Sequence, residues 1–270
     1  MHPMLNIGVR AARAAGRVIT QSVGRLDTLQ VDSKGHNDFV TEVDRQAEAE
    51  IISVLKRAYG DHAFLGEESG LTGSADAEYR WVIDPLDGTM NFLHGMPHFS
   101  VSIALLKQDR LFQAVIYDPM RQELFTAGKG EGAFLDAKRL RVKKTQHLAD
   151  ALLGSGFPNR NKQDLDFYQR TARHYTERSS GVRRLGSAAL DLAYVAAGRL
   201  DGVWLMGLSE WDLAAGALLV REAGGLVNDF DGGDTWRSSG DLVAATPKIH
   251  HEMLEVMKPL SAARKRMPAG

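Results

Sequence analysis

Cysteine is absent from the 270-residue sequence, which excludes disulfides, thiolate metal sites and a cysteine nucleophile. Oxygen and imidazole groups remain as metal donors. Net charge is missing too. The 33 Lys and Arg against 34 Asp and Glu leave −1, so no global field recruits nucleic acid or an anionic membrane, and a polyanion would need a local patch. No stretch reaches the roughly 18–20 consecutive apolar residues that span a bilayer. Arg10, Arg13 and Arg17 interrupt the opening segment, so no secretory leader is expected. These absences suit a soluble, cytoplasmic protein. Repeats, low-complexity tracts and Pro/Ser-rich linkers are also lacking, and the polar stretch 70–78 is too short to separate independent domains. What is present is 44% apolar residues, enough for a substantial core. The expectation is one domain over 1–270, built as two intimately packed halves at roughly 1–145 and 146–270.

Leu5, Val9, Ala12, Ala15 and Ile19 recur at helical steps and predict an amphipathic first helix. A second helix is predicted with Thr41 as cap, Asp44 in capping-box position and a buried stripe of Ala47, Ile51, Leu55 and Ala58, ending at Gly60 and Asp61. From Phe99 to Val142 the runs VSIALL, QAVIYD and ELFTA alternate with the turn-prone QDR, PMRQ and GKGEG, which predicts an antiparallel meander. Helical spacing returns at 165–177, 188–198 and 211–223, with short strands at 202–205 and 225–229 between. Layers of helix against sheet follow, and the basic tail ARKRMPAG is expected to fray.

The segment Trp81 to Phe92 reads WVIDPLDGTMNF. Pro85 should stop the strand WVI, letting Asp84, Asp87 and the Leu86 carbonyl turn toward one point, as a hard divalent cation requires. An ordinary acidic turn with its corner at Asp87-Gly88 explains the same residues equally well. Glu67-Glu68 follow the apolar run AFL, and by themselves read as a solvated loop. Asp44 and Asp212 each stand where a helix begins and read as caps. Four carboxylate positions at element ends are suggestive, but spacing does not bring them together.

The segments GEES, WVIDPLDGTMNF and WDLAAGALLVREAGG, in that order, resemble the paired signatures of the inositol monophosphatase family. NDFVTEVD upstream and RRLGSAALDLAYVAAGRLDG between the signatures fit its spacing, so the resemblance covers nearly the whole chain. The opening MHPMLNI and the stretch GSAALDLAYVAAGR are similar to bacterial SuhB-type members. The resemblance implies an α/β chain layered as an αβαβα sandwich, and hydrolysis of inositol 1-phosphate or similar small polyol or sugar phosphates with two or three Mg²⁺ ions. It implies metal donors at Glu67, Asp84, the Leu86 carbonyl, Asp87 and Asp212. Thr89 would orient the attacking water with Asp44 as hydrogen-bond partner, and Glu67 would help hold or activate that water. Leu86, Asp87, Gly88, Thr89 and Asp212 would meet the phosphate side of the substrate. Arg183, Gly186, Ser187 and Ala188 are candidates for its alcohol side, though a surface salt bridge explains Arg183 as well. Lithium sensitivity and a homodimer belong to the same expectation.

Two positions depart from the family's pattern. Met90 replaces the frequent second threonine, which leaves Thr89 in place. Leu205 stands where many relatives carry a glutamate that accepts hydrogen bonds from inositol hydroxyls, and leucine accepts none. That substitution keeps fructose bisphosphate and nucleotide phosphates open as substrates. SuhB-type relatives also imply a second role, contacts with RNA polymerase and Nus factors in transcription antitermination. GKGEG is similar to a phosphate-binding loop but lacks its Lys-Ser/Thr ending, so a hairpin turn is expected. His94 and His98 are expected in a loop or at the substrate rim, because Gly95 and Pro97 oppose a helix between them. Trp204, Trp211 and Trp236 are expected in the core or at an interface.

Overall fold

The structure, a computed structural model, describes residues 2–28, 31–35, 38–156 and 165–264, with the backbone alone at 27, 28, 31–35 and 38–40. Helices α1 (Pro3–Ser22) and α2 (Glu42–Ala58) flank the hairpin β1 (Val31–Gly35) and β2 (Asp38–Thr41). Then follow β3 (Ala63–Gly66), β4 (Gly70–Thr72), β5 (Tyr79–Asp87) and the short α3 (Thr89–Leu93). The predicted meander is β6 (Ser100–Lys107), β7 (Arg110–Asp118), β8 (Glu123–Gly128), β9 (Gly132–Leu135) and β10 (Lys138–Arg139). The remaining elements are β11 (Leu152–Ser155), α4 (Leu165–Arg178), β12 (Gly181–Arg183), α5 (Ala188–Ala196) and β13 (Gly202–Leu205). After them come α6 (Glu210–Glu222), β14 (Leu226–Asn228), α7 (Trp236–Ser239), β15 (Leu242–Ala245) and α8 (Pro247–Arg264). The tail beyond Arg264 lies outside the described residues.

One sheet has eight strands in the order β10-β9-β8-β7-β6-β5-β3-β4, and another has five in the order β12-β11-β13-β15-β14. Their central strands read as unbroken apolar runs because both faces are covered. On β5, Trp81 and Ile83 face α1 and α2, packing with Ala12, Ile19, Ile51 and Leu55, while Val82 turns to the other side. Ile103 and Leu105 of β6 join the first layer, and Ala104 and Leu106 the second. There α5 and α6 fill the space between the sheets, meeting Val203 and Leu205 of β13. Trp204, between those two, faces outward onto α4 and α8 with Tyr175, Met253 and Met257. Period-two alternation thus sorts each strand between neighbouring layers, and the layer order is αβαβα. Each fully buried Leu, Ile or Val contributes about 1.5–3 kcal/mol.

The local signals for the first two helices hold with one exception. Thr41 accepts from the amides of Val43 and Asp44, and Asp44 reciprocates on the Thr41 amide, completing the capping box. Ala58, expected in the buried stripe, is exposed, because α2 ends there and Tyr59 leaves helical geometry. GKGEG is a hairpin turn between β8 and β9, whose Gly130 and Gly132 amides donate to Glu222 of α6 at 2.9 Å each. Trp204 and Trp236 are fully buried and Trp211 packs against the inter-sheet layer. Among the described residues no helix is long and apolar enough to cross a membrane.

Candidate active site

Strand β5 does not stop at Pro85 as expected. It continues to Asp87, with an irregularity: Asp84 pairs with Ser102 and Asp87 with Ser100, so three steps on β5 oppose two on β6. Pro85 lacks the N–H that a regular ladder would need, and one residue is accommodated as a bulge. The consequence is geometric. Residues three apart on a flat strand point to opposite faces, but the extra residue brings Asp84 and Asp87 to the same side.

Neighbouring elements end at the same place. Strand β3 runs parallel to β5 with Gly66 opposite Ile83, and the Glu67 amide donates to the Ile83 carbonyl at 3.1 Å, placing Glu67 beside Asp84. From the second half of the chain, α6 delivers Asp212, whose Oδ2 accepts from the Ser209 amide at 2.6 Å in a capping box. Ligand atoms of Asp84, Asp87 and Asp212 all lie within 4.8 Å of one another. Together with Glu67 they line a cavity of about 480 Å³, whose wall also includes Leu86, Gly88, Thr89, Gly186, Ser187 and Ala188.

The electrostatics follow from crowding and burial. Asp84 is 1% exposed, and burial, then the charges of Glu67, Asp87 and Asp212, push its carboxyl well above the usual range. Burial also raises Asp87, to about 6, against hydrogen bonds from Ser187 and the Ala189 and Ala188 amides. Those bonds place Asp87 at the start of α5: the Ser187 hydroxyl and the Ala189 amide (2.8 Å) donate to Oδ2, and the Ala188 amide (3.2 Å) to Oδ1. Asp44 is raised by burial, opposed by its bonds from Thr41 and Thr89. The Thr89 hydroxyl lies 3.2 Å from Asp44 Oδ1 and 3.0 Å from the Leu86 carbonyl oxygen. Asp44 is therefore a helix cap and a partner of Thr89 at once.

Gly88 links these parts with φ +99°, and a Cβ there would lie 3.1–3.2 Å from the His98 and Gly186 carbonyl oxygens. Only glycine fits such a turn without strain. Asn91 draws the same two chain segments together, its Nδ2 donating to the carbonyls of His98 (2.7 Å) and Leu185 (2.8 Å).

One placement differs from expectation. Arg183 is exposed and lies outside the cavity wall, which Arg184 lines instead. Arg183 closes β12, and successive residues of an extended segment face opposite ways. Leu205 lines the cavity and is fully buried, its Cδ2 only 2.9 Å from where a Cβ on Gly156 would sit. His94 and His98 lie in the loop between α3 and β6, as expected, and do not line the cavity; His98 packs edge-on against Tyr194, and burial lowers its pKa.

Two features, one supporting the cavity and one lining it, were not expected from the sequence. Glu48, one turn after Asp44 within the buried face of α2, accepts from the Glu68 (2.9 Å) and Ser69 (2.8 Å) amides and so holds the loop carrying Glu67. Asp191 interrupts the apolar run of α5, lines the cavity at 1% exposure and is raised well above the usual range by burial and the charge of Asp87. A lone acid in an apolar helical stripe was the available signal for both.

The family model described as the inositol monophosphatase family matches residues 1–260. The chain belongs to the inositol monophosphatase family. Among its curated relatives is the Nus factor SuhB of Pseudomonas aeruginosa, 54% identical over 263 residues, covering 96% of this chain and 97% of that protein. Among solved structures, the extragenic suppressor protein suhB of Bartonella henselae superposes with a TM-score of 0.92 at 43% identity, covering 95% of this chain and 99% of that one. An inositol monophosphatase from Anabaena (Nostoc) superposes with a TM-score of 0.81 at 39% identity, covering 96% and 97% of the two chains. Membership of the inositol monophosphatase family supports phosphomonoesterase activity on a small phosphate ester, and the carboxylate-lined cavity offers a metal site of the kind such chemistry uses.

Proposed function

We propose that this chain is a Mg²⁺-dependent phosphomonoesterase that hydrolyses inositol 1-phosphate or a similar small polyol or sugar phosphate. The observation that carries the reading is the convergence of Asp84, Asp87 and Asp212 within 4.8 Å, from two halves of the chain. An all-carboxylate cleft repels a phosphate monoester, which carries nearly two negative charges at pH 7. The raised pKa of Asp84, pushed up by burial and then by the charges of Glu67, Asp87 and Asp212, reports the same crowding. Oxygen-only donors of this density suit a hard dication, with Glu67, Asp84, Leu86, Asp87 and Asp212 as its holders in two or three sites. When bound, Mg²⁺ supplies Lewis-acid stabilisation of the phosphoryl charge and lowers the pKa of the attacking water.

The protein's own groups do the positioning. Thr89 donates its hydroxyl proton to Asp44, so its oxygen accepts from the attacking water and fixes that water's orientation. Glu67, on the wall of the same cavity, helps hold or activate that water. The Gly88 and Thr89 amides are the phosphate donors. Gly186, Ser187 and Ala188 border the alcohol side, with Arg184 taking the place expected for Arg183. Leu205 gives that side one apolar wall, which accepts no hydrogen bond from a hydroxyl and so removes one means of selecting inositol among small polyol and sugar phosphates. Because its donors come from both halves, the chain acts as one catalytic unit.

Phosphate release from a panel of monoesters, with and without Mg²⁺, tests the reading. No metal-dependent turnover on any member by the folded protein sinks it; lithium inhibition supports it. A second reading rests on the name Nus factor carried by the Pseudomonas aeruginosa relative: contact with RNA polymerase and Nus factors in transcription antitermination, by the chain or its homodimer. Retention of those partners by Asp87→Asn in a pull-down would separate this role from catalysis.

A further inference from the structure

Asp84 and Asp87 ride on β5, whereas Asp212 rides on the first turn of α6. Carboxylates so close repel one another, so their spacing needs support from outside the cavity. A set of ion pairs joins those two elements. Arg80, on β5 four residues before Asp84, reaches Glu210, the first residue of α6, with Nη1 to Oε2 at 3.1 Å. Arg237 of α7 grips the same carboxylate, Nε to Oε1 at 2.9 Å and Nη2 to Oε1 at 2.5 Å. Asp109, in the turn between β6 and β7, closes the ring: Oδ1 accepts from Arg80 Nη2 at 2.8 Å and from Arg237 Nη2 at 2.7 Å. Two guanidinium groups balance two carboxylates.

Exposed ion pairs contribute little, and Asp109 is 71% exposed, but the other three side chains are largely covered: Glu210 is 15% exposed, Arg80 22% and Arg237 25%. The planar guanidinium forks also fix direction as well as distance. None of the four residues lines the cavity. Asp212 is tied back to the Ser209 amide across the same helical turn that Glu210 opens, so holding Glu210 holds Asp212.

Resting on the metal reading above, we propose that Arg80, Glu210 and Arg237 form a positioning clamp that sets Asp212 against Asp84 and Asp87 and thereby tunes the site's affinity for divalent ions. The clamp touches neither ion nor substrate. It acts by keeping α6 in register with β5.

Mn²⁺ alone is the probe, its binding to the full chain followed by electron paramagnetic resonance. Glu210→Gln and Arg80→Met are expected to weaken Mn²⁺ about tenfold, the scale of losing a group that orients a ligand. The Mg²⁺ needed for half-maximal phosphate release should rise in parallel, and turnover should recover at high Mg²⁺. The pair combined should be no weaker than the worse single change, and Arg80→Lys should recover part of the loss. Asp109→Asn, on an exposed turn that cannot cost the fold, should give a smaller shift of the same sign. A fall in melting temperature with unchanged Mn²⁺ affinity would overturn the clamp, as would loss of turnover that added Mg²⁺ does not restore. Wild-type protein that binds no Mn²⁺ would remove the metal reading itself, a different result from a clamp that fails.

Discussion

Asp87 stands where two demands meet. It serves as acceptor for the first amides of α5 and, in the proposed chemistry, as a metal donor. Asn in its place keeps one carbonyl acceptor and the volume but loses the charge. Asp87→Asn is therefore expected to lower turnover by about 10²-fold or more while moving stability by only about 1 kcal/mol, the scale of a helix cap. Phosphate release and thermal melting of the same preparation check the two halves of that statement. Thr89 offers a sharper contrast. Thr89→Ala removes the hydroxyl between Asp44 and the cavity and should cost about 10²–10⁴-fold in turnover. Thr89→Ser retains the hydroxyl and should keep most of the rate; equal losses in both would exclude the water-positioning role.

At the scale of elements, the site depends on where strands and helices end. The bulge at Pro85 turns Asp84 and Asp87 to one side, and Glu48 of α2 fastens the loop after β3 from beneath. Glu48→Ala leaves two amides without their acceptor, which should cost about 1–3 kcal/mol, read as a lower urea midpoint. Gly66→Ala attacks the same joint from the opposite side, since its Cβ would fall 2.4 Å from Glu48 Oε2. It should destabilise by about 1–3 kcal/mol. Both changes should also weaken Mg²⁺ activation, because the loop they loosen carries Glu67.

For the whole molecule, the raised carboxyls become a dependence of stability on pH. Asp87 titrates near 6 in the folded chain against 3.8 as an ordinary carboxyl, so the folded state holds its proton more tightly. The metal-free protein is then most stable below about pH 4 with respect to this group. It loses that contribution as pH rises through 6, and Asp84 shifts in the same direction. Melting of the metal-free chain should show this decline between pH 4 and 6, and Asp87→Asn should flatten it. Divalent ions stabilise the ionised carboxylates, so Mg²⁺ should raise the melting temperature more at pH 7 than at pH 5; at pH 7 a hundredfold excess over its dissociation constant should stabilise the fold by about 2.7 kcal/mol. An equal rise at both values would place the bound ion away from these carboxylates.

Much of this is legible in the sequence. The helical stripes of α1 and α2, the capping box at Thr41 and Asp44, the meander after Phe99 and the layered class follow from periodicity and turn chemistry, which are local. The family follows from ordered segments that a chain either has or lacks. Convergence is not local. Asp84 and Asp87 share a side because a bulge restores the parity that their spacing breaks, and Asp212 joins them only because α6 packs between two sheets. The same holds for Arg184 lining the cavity in place of Arg183, decided by the alternation at the end of β12, and for Glu48, whose acceptor role depends on amides twenty residues away. Residue types and spacing determined which chemistry was available; long-range packing decided which of those groups meet.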